Sequence, residues 1–365
     1  MPNTLTLTVN GQNFTDWTEF SISRAIDKIC TDFDIQVTER AVGNIPWALL
    51  PFAPVTLSLN GKLVMTGYID SYLPSGSATS HAVRVTGRSK TQDTVDGSAD
   101  IQGGQFSGYT LDQICRAVCQ PFGITVTVKA DVGDAFDDVQ LYRHETAFTF
   151  LERLCRLRGV LASDDEKGNL VLTTAGSSRA SGALQEGPTQ TTASPANILR
   201  YHATLSGAKR FSIYKVIGQH AVTDDTWGDA ATEIEAQATD SGVPRYRPHV
   251  MVGETQLTPE MAQKRADWQA RYNRARGTEA TITVKGWQQP DGSLWTVNQV
   301  VPVHARTYLK LDQDLLLVRA TYKMTPSDGA TTELMLGPQD GWTPDPGEVK
   351  VKKTKGTSDY WSGVS

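Results

Sequence analysis

The sequence predicts a mainly β fold with α+β content: two similar antiparallel β-barrels in one chain plus a smaller α+β domain. Three observations carry this. Short runs with period-two alternation, separated by turn residues, dominate both ends of the chain. The hydrophobic period changes to that of amphipathic helices over residues 91–175. A stretch near the C-terminus echoes one near the N-terminus. At roughly 100–200 residues per domain, 365 residues suggest two or three domains.

Residues 1–90 read as the first β-barrel. Leu5, Leu7 and Val9 alternate with threonine, and Asn10-Gly11 follows as a turn. Phe33, Ile35 and Val37 alternate again. Val55, Leu57 and Leu59 lead into Asn60-Gly61, the strongest short hairpin signal, and the return strand runs from Leu63 to Leu73, where Pro74-Ser75-Gly76 ends it. Val83 and Val85 begin another strand.

Residues 91–197 together with 223–277 read as the α+β domain with its linker. Leu111, Ile114, Cys115, Val118 and Cys119 share one helical face, with Thr110 as N-cap and Pro121 as stop. Phe148, Leu151, Leu154 and Cys155 build a second helix ended by Gly159. Val160–Leu172 reads as a hairpin turning at Asp164–Asn169. Residues 176–197, rich in Ser, Thr, Gly and Ala, read as a linker or long loop, and 223–257 as irregular. A helix is expected over Pro259–Arg276, with Thr258 as cap, proline in the first turn and Gly277 at the end. Residues 198–222 and 278–337 read as the second β-barrel, and 338–365, with its lysines 350, 352, 353 and 355, as a flexible tail.

The echo is specific in its details. Leu57, Leu59 and Leu63 meet Leu309, Leu311 and Leu315 at a common offset, Asn60 meets Asp312, and Pro74-Ser75 meets Pro326-Ser327. Alternation alone carries little information; the shared strand length and the shared Pro-Ser ending favour one barrel present twice.

Composition excludes several classes. Hydrophobic residues at 39% and charged residues at 21% are those of an ordinary globular protein. No run of about 18 apolar residues is present, and the start Met1-Pro2-Asn3-Thr4-Leu5 lacks the pattern of a signal peptide, so the expectation is a protein that stays in the cytoplasm where it is made. A net charge of −5 argues against a sequence-reading nucleic-acid binder. Cys30, Cys115, Cys119 and Cys155 lack the spacing of a zinc site and read as buried reduced thiols. His81, His144, His202, His220, His249 and His304 are scattered. Gly87-Arg88-Ser89-Lys90 lacks phosphate-loop spacing. The acidic groups Asp164-Asp165-Glu166 and Asp131, Asp134, Asp137 and Asp138 read as a solvated turn and an exposed loop, without calcium-loop spacing. Trp227, Trp268, Trp287 and Trp295 could bind sugar if exposed; packing explains them more simply. The expectation is therefore no catalytic, cofactor-binding or metal-binding residue and no cofactor.

The hairpin end Thr66–Asp70 (TGYID), the stretch Val85–Ser98 (VTGRSKTQDTVDGS) and the helix His144–Leu154 (HETAFTFLERL), in this order, resemble the baseplate hub proteins of phage Mu and Mu-like prophages. The match runs over most of residues 1–340. The resemblance implies a structural, non-enzymatic subunit of a contractile phage tail. It implies a homotrimer whose two barrels per chain form a ring of six, located in the virion baseplate between tail tube protein and central spike protein. Other baseplate proteins are further implied partners, and DNA would pass without specific binding. The alternatives are a tail-associated cell-wall hydrolase and a carbohydrate-binding adhesin module.

Overall fold

In the computed structural model the described residues are 3–345 other than 16, 39–48, 79–80, 102, 188–195, 220–232 and 254–257. His220, Trp227 and the tail lysines lie outside them.

The first β-unit is β1 (Leu5–Val9), β2 (Gln12–Phe14), β3 (Glu19–Ala25), β4 (Asp32–Thr38), β5 (Pro54–Leu59), β6 (Lys62–Gly76) and β7 (His81–Ser89). Strict alternation buries one face of β1 and β5, and of β3 up to Arg24 and Ala25, which are both buried. Asn60 and Gly61 turn β5 into β6 with φ of 50° and 77°, the left-handed pair that a two-residue hairpin demands.

The chain then builds a small α+β block: α1 (Gln92–Asp96), β8 (Gln105–Phe106), α2 (Leu111–Cys119), β9 (Val126–Val128), β10 (Val139–Gln140), α3 (Ala147–Leu157), β11 (Leu161–Asp164) and β12 (Leu170–Thr173). The expected helical faces are the buried ones. Ile114, Cys115 and Val118 pack with Phe150, Leu151 and Leu154 over Leu170 and Leu172 of the sheet β11-β12-β9. Thr110 and Gln113 form a capping box, and Thr146 caps α3.

The rest of the chain departs from expectation in four places. The expected linker contributes β13 (Ser178–Arg179) and β14 (Leu184–Gln185), and Leu184 is fully buried. β15 (Ile198–Leu205) belongs to the second β-unit, but β16 (Ile213–Gln219) does not: it pairs with β17 (Glu233–Thr239) and β18 (Pro248–Val252) in a separate sheet, within a stretch expected to be irregular. The helix α4 (Pro259–Arg276) has the expected bounds and cap, and lays Ala262, Ala266 and Ala270 against Tyr214 and Val216 of that sheet. The second unit is completed by β19 (Thr278–Lys285), β20 (Gln299–Ala305), β21 (Leu311–Thr325) and β22 (Gly329–Gly337). Finally, the start of the expected tail is packed. A short helix over Gln339–Trp342 buries Trp342, the Arg276 guanidinium lies 3.8 Å from its ring centroid, and Trp268 Nε1 donates to the Thr343 carbonyl at 3.1 Å.

The two β-units share one connectivity. In the first, spatial order is β3-β4-β7-β6-β5; in the second it is β15-β19-β22-β21-β20. Every one of these pairings is antiparallel. Each long strand, β6 and β21, has 15 residues, and each carries an irregularity: after Ile69 in one, after Leu317 in the other. The core residues Ile35, Ile69 and Val85 thus correspond to Ile282, Leu317 and Leu334. The leucine echo seen in the sequence is out of register by a few residues. The strand before β21 is Gln299–Ala305, and residues 306–310 form the turn. Leu309 and Leu311 are buried all the same, which is why they imitate a strand.

The expected barrels are open units joined edge to edge. β3 pairs with β21 from Arg319↔Ala25 to Met324↔Phe20, and one 14-stranded sheet runs through both. Among the described residues no sheet closes on itself.

Candidate assembly surface

No group of three or more His, Cys, Asp or Glu that could hold a metal occurs among the described residues. Cys115, Cys119 and Cys155 are buried and free, and burial pushes the Cys119 thiol up to about 12, so it is not a nucleophile at neutral pH. Three histidines have separate partners: His144 stacks on Tyr142, His249 on Phe211, and His304 bonds Asp312 at 2.8 Å. Trp287 and Trp295 are core residues. Asp131 bonds the Gly133 amide within its exposed loop. What the chain displays instead are sheet edges and the polar clamps that fix its units together.

The first clamp was missed in the sequence. Asp164, expected in a solvated turn, is buried at the end of β11. Its carboxylate accepts from the Thr31 amide (3.0 Å) and hydroxyl (3.1 Å), and Arg24 Nε of β3 lies 3.4 Å away. This ties the α+β block to the strand that joins the two β-units. Asp165 and Glu166 behave as the expected turn residues: Glu166 is exposed, and Asp165 accepts from the Lys167 and Asn169 amides. A second clamp is Asn298, held at φ 69°, whose side chain binds Gly176, Thr174 and Ser177 and pins the start of the linker to the second unit. In the third, Arg210 donates twice to Asp240 (2.9 and 3.0 Å), beside the chain crossing where Ser206 bonds Gly277. Arg210 holds the Asp240 carboxyl below its ordinary range. No sequence pattern marks these residues, because each partner is distant along the chain.

The edges differ in how they are covered. β3 has neighbours on both sides, and Phe20, Ile22 and Ala25 are buried. β15, at the corresponding place in the second unit, has β19 on one side and no described strand on the other. Leu199, Tyr201 and Leu205 are consequently 54, 47 and 53% exposed. The second half of β6, from Asp70 to Gly76, pairs with β7 but carries no described strand on its β5 side, and Leu73 is 48% exposed. β15 sets five apolar residues, Ile198, Leu199, Tyr201, Ala203 and Leu205, along an open edge whose one charged side chain, Arg200, is paired with Asp328, and monomeric proteins avoid long open edges of this kind.

Comparison with known proteins decides the family. The baseplate hub protein gp44 of Escherichia phage Mu is 34% identical over 98% of this chain and 93% of its own length. The chain belongs to the Mu baseplate hub family. Family models agree piece by piece. Residues 4–89 match the N-terminal domain of Mu phage baseplate assembly protein GpP-like proteins, and 91–174 the second domain of gp44-like baseplate hub proteins. Residues 210–269 match the third domain of NMB1110-like tail proteins, and 258–345 the fourth domain of the GpP protein. A 43 kDa tail protein of prophage MuSo2 from Shewanella oneidensis is 31% identical and superposes with a TM-score of 0.81 over 93% of this chain and 99% of its own. A tail protein from Neisseria meningitidis MC58, 23% identical, has the same fold: TM-score 0.77, 95% and 99% covered. This hub protein is thus a structural component of a phage tail, not an enzyme, as its resemblance implied.

Proposed function

We propose that this hub protein is a homotrimer in which the two β-units of each chain alternate around a pseudo-sixfold ring. In this reading the ring sits at the centre of a contractile tail's baseplate, in contact with other baseplate proteins. One face meets the sixfold tail tube protein and the other the central spike protein. The observation that carries it is the repeated strand order, β3-β4-β7-β6-β5 and β15-β19-β22-β21-β20, within one chain. An interface is a set of complementary patches repeated by symmetry. Three chains with one such unit each could not match a sixfold partner; three chains with two can. The units occurring once per chain, the α+β block and the sheet of β16–β18 with α4, are left to make the threefold face. We assign residues 1–90 to the first ring unit, 198–205 with 278–337 to the second, and the intervening segments to the threefold layer. The free buried thiols suit assembly in the reducing host cytoplasm.

The test is mass. Light scattering of the purified protein is expected to give three chains, and negative-stain images a ring with a central hole. A stable monomer at micromolar concentration would overturn the proposal.

A further inference from the structure

The contact between the two β-units inside one chain specifies a contact the chain cannot make with itself. β3 lies on the second half of β21, opposite β22, beyond the point where β20 stops pairing. The equivalents of these two strands are β15 and the second half of β6, and among the described residues neither has a partner on that side. Resting on the trimeric ring proposed above, we propose that β15 pairs antiparallel with the second half of β6 of a second copy. Each β15·β6 contact then repeats, between subunits, the β3·β21 contact within them.

The register follows from the pairs already present. Phe20 and Tyr201 are equivalent because they oppose Ile35 and Ile282, and Ile22 and Ala203 because they oppose Phe33 and Ala280. Tyr72 and Ala320 are equivalent because they oppose Val85 and Leu334. Transferring Ala320↔Arg24, Thr321↔Ser23 and Tyr322↔Ile22 places Tyr72 against Leu205, Leu73 against Thr204 and Pro74 against Ala203 of the neighbour. The chemistry fits. On the core side Tyr72 and Pro74 meet Leu205 and Ala203, and two exposed apolar side chains, Tyr201 and Leu205, become covered. Pro74 offers no N–H, so the ladder is weakest there; proline in a strand belongs at such edges. The contact joins two different patches, so it propagates head to tail. A ring closes when the step between copies matches the step between units.

Directly opposed residues in an antiparallel pair have Cα atoms about 4.5–5.5 Å apart, within disulfide reach, whereas diagonal neighbours lie about 7–8 Å apart, beyond it. The experiment oxidises the full-length double variant Leu73→Cys with Thr204→Cys, both exposed positions, beside each single variant and beside Leu73→Cys with His202→Cys. The expected result is covalent dimers and trimers on a non-reducing gel from the first pair alone. Cross-linking of the His202 pair instead, or no cross-link while light scattering still shows three chains, overturns the strand pairing and leaves the ring. A monomer by scattering overturns both. Hydrogen exchange on the unmodified protein supplies a readout free of folding defects. Residues 199–205 are expected to be protected continuously, and protection at alternate amides only would refute the pairing.

Discussion

Asp240 shows how single side chains hold this molecule together. Its side chain is 3% exposed, and it accepts from Arg210 and from the Gly242 amide, with Arg274 at 3.8 Å. Hydrogen bonding and charge from Arg210 outweigh burial and depress its pKa below the ordinary 3.8. A carboxylate depressed in the folded state contributes stability that is complete above its unfolded pKa and lost as pH falls through the folded value. Asp240→Asn is therefore expected to lower the thermal midpoint at pH 7 by leaving Arg210 without its anion, a cost of about 3 kcal/mol. The gap from wild type should shrink as the pH falls below about 4. Thermal scans of both proteins from pH 7 to pH 3 check this; a gap that stays constant with pH would exclude Asp240 as the titrating group. Residues of this kind were invisible in the sequence. The polar neighbours Asp165 and Glu166 make Asp164 resemble a turn residue, yet the strand period turns it inward onto Thr31 and Arg24. Asn298 sits in no motif at all.

At the scale of elements, legibility followed the strength of the local signal. α4 was readable to its last residue because cap, first-turn proline and terminal glycine all bracket it. The sheet it covers was not, because Ile234, Ala236 and Ala238 of β17 present mostly small apolar groups to the helix, and alanine alternation barely registers as hydrophobic. The same smallness sets the packing distance: Ala262, Ala266 and Ala270 form a stripe that lets the helix approach β16 and β17 closely. Enlarging its centre, Ala266→Leu, is expected to cost about 1–3 kcal/mol by overpacking. Exposed Lys264→Ala on the same helix should change stability by less than about 0.5 kcal/mol. Urea titration of the two variants distinguishes them, and equal midpoints would mean that the seam is not close-packed. β13 and β14 were missed for another reason. Two-residue strands have no period, and they form only because β20 offers an edge to pair with.

For the whole molecule, the repeat was legible as kinship but not as register: alternation reveals that a strand exists, while buried turn residues such as Leu309 copy its pattern. The resemblance carried by Val85–Ser98 reached the family directly. Electrostatics then bears on what the proposed ring could pass. Each chain carries −5, so three carry −15. A duplex presents one negative charge per roughly 1.7 Å, and a protein that grips it does so by neutralising phosphates, with affinity that falls steeply as salt rises. A conduit for DNA needs the opposite, a wall that releases what it touches. The assembled protein is accordingly expected to leave the mobility of duplex DNA unchanged in a gel-shift assay even near 50 mM salt, where phosphate contacts are strong. A shift that disappears on raising the salt would reveal a basic lining, and the reading of the ring as a passage would have to give way to that of a clamp.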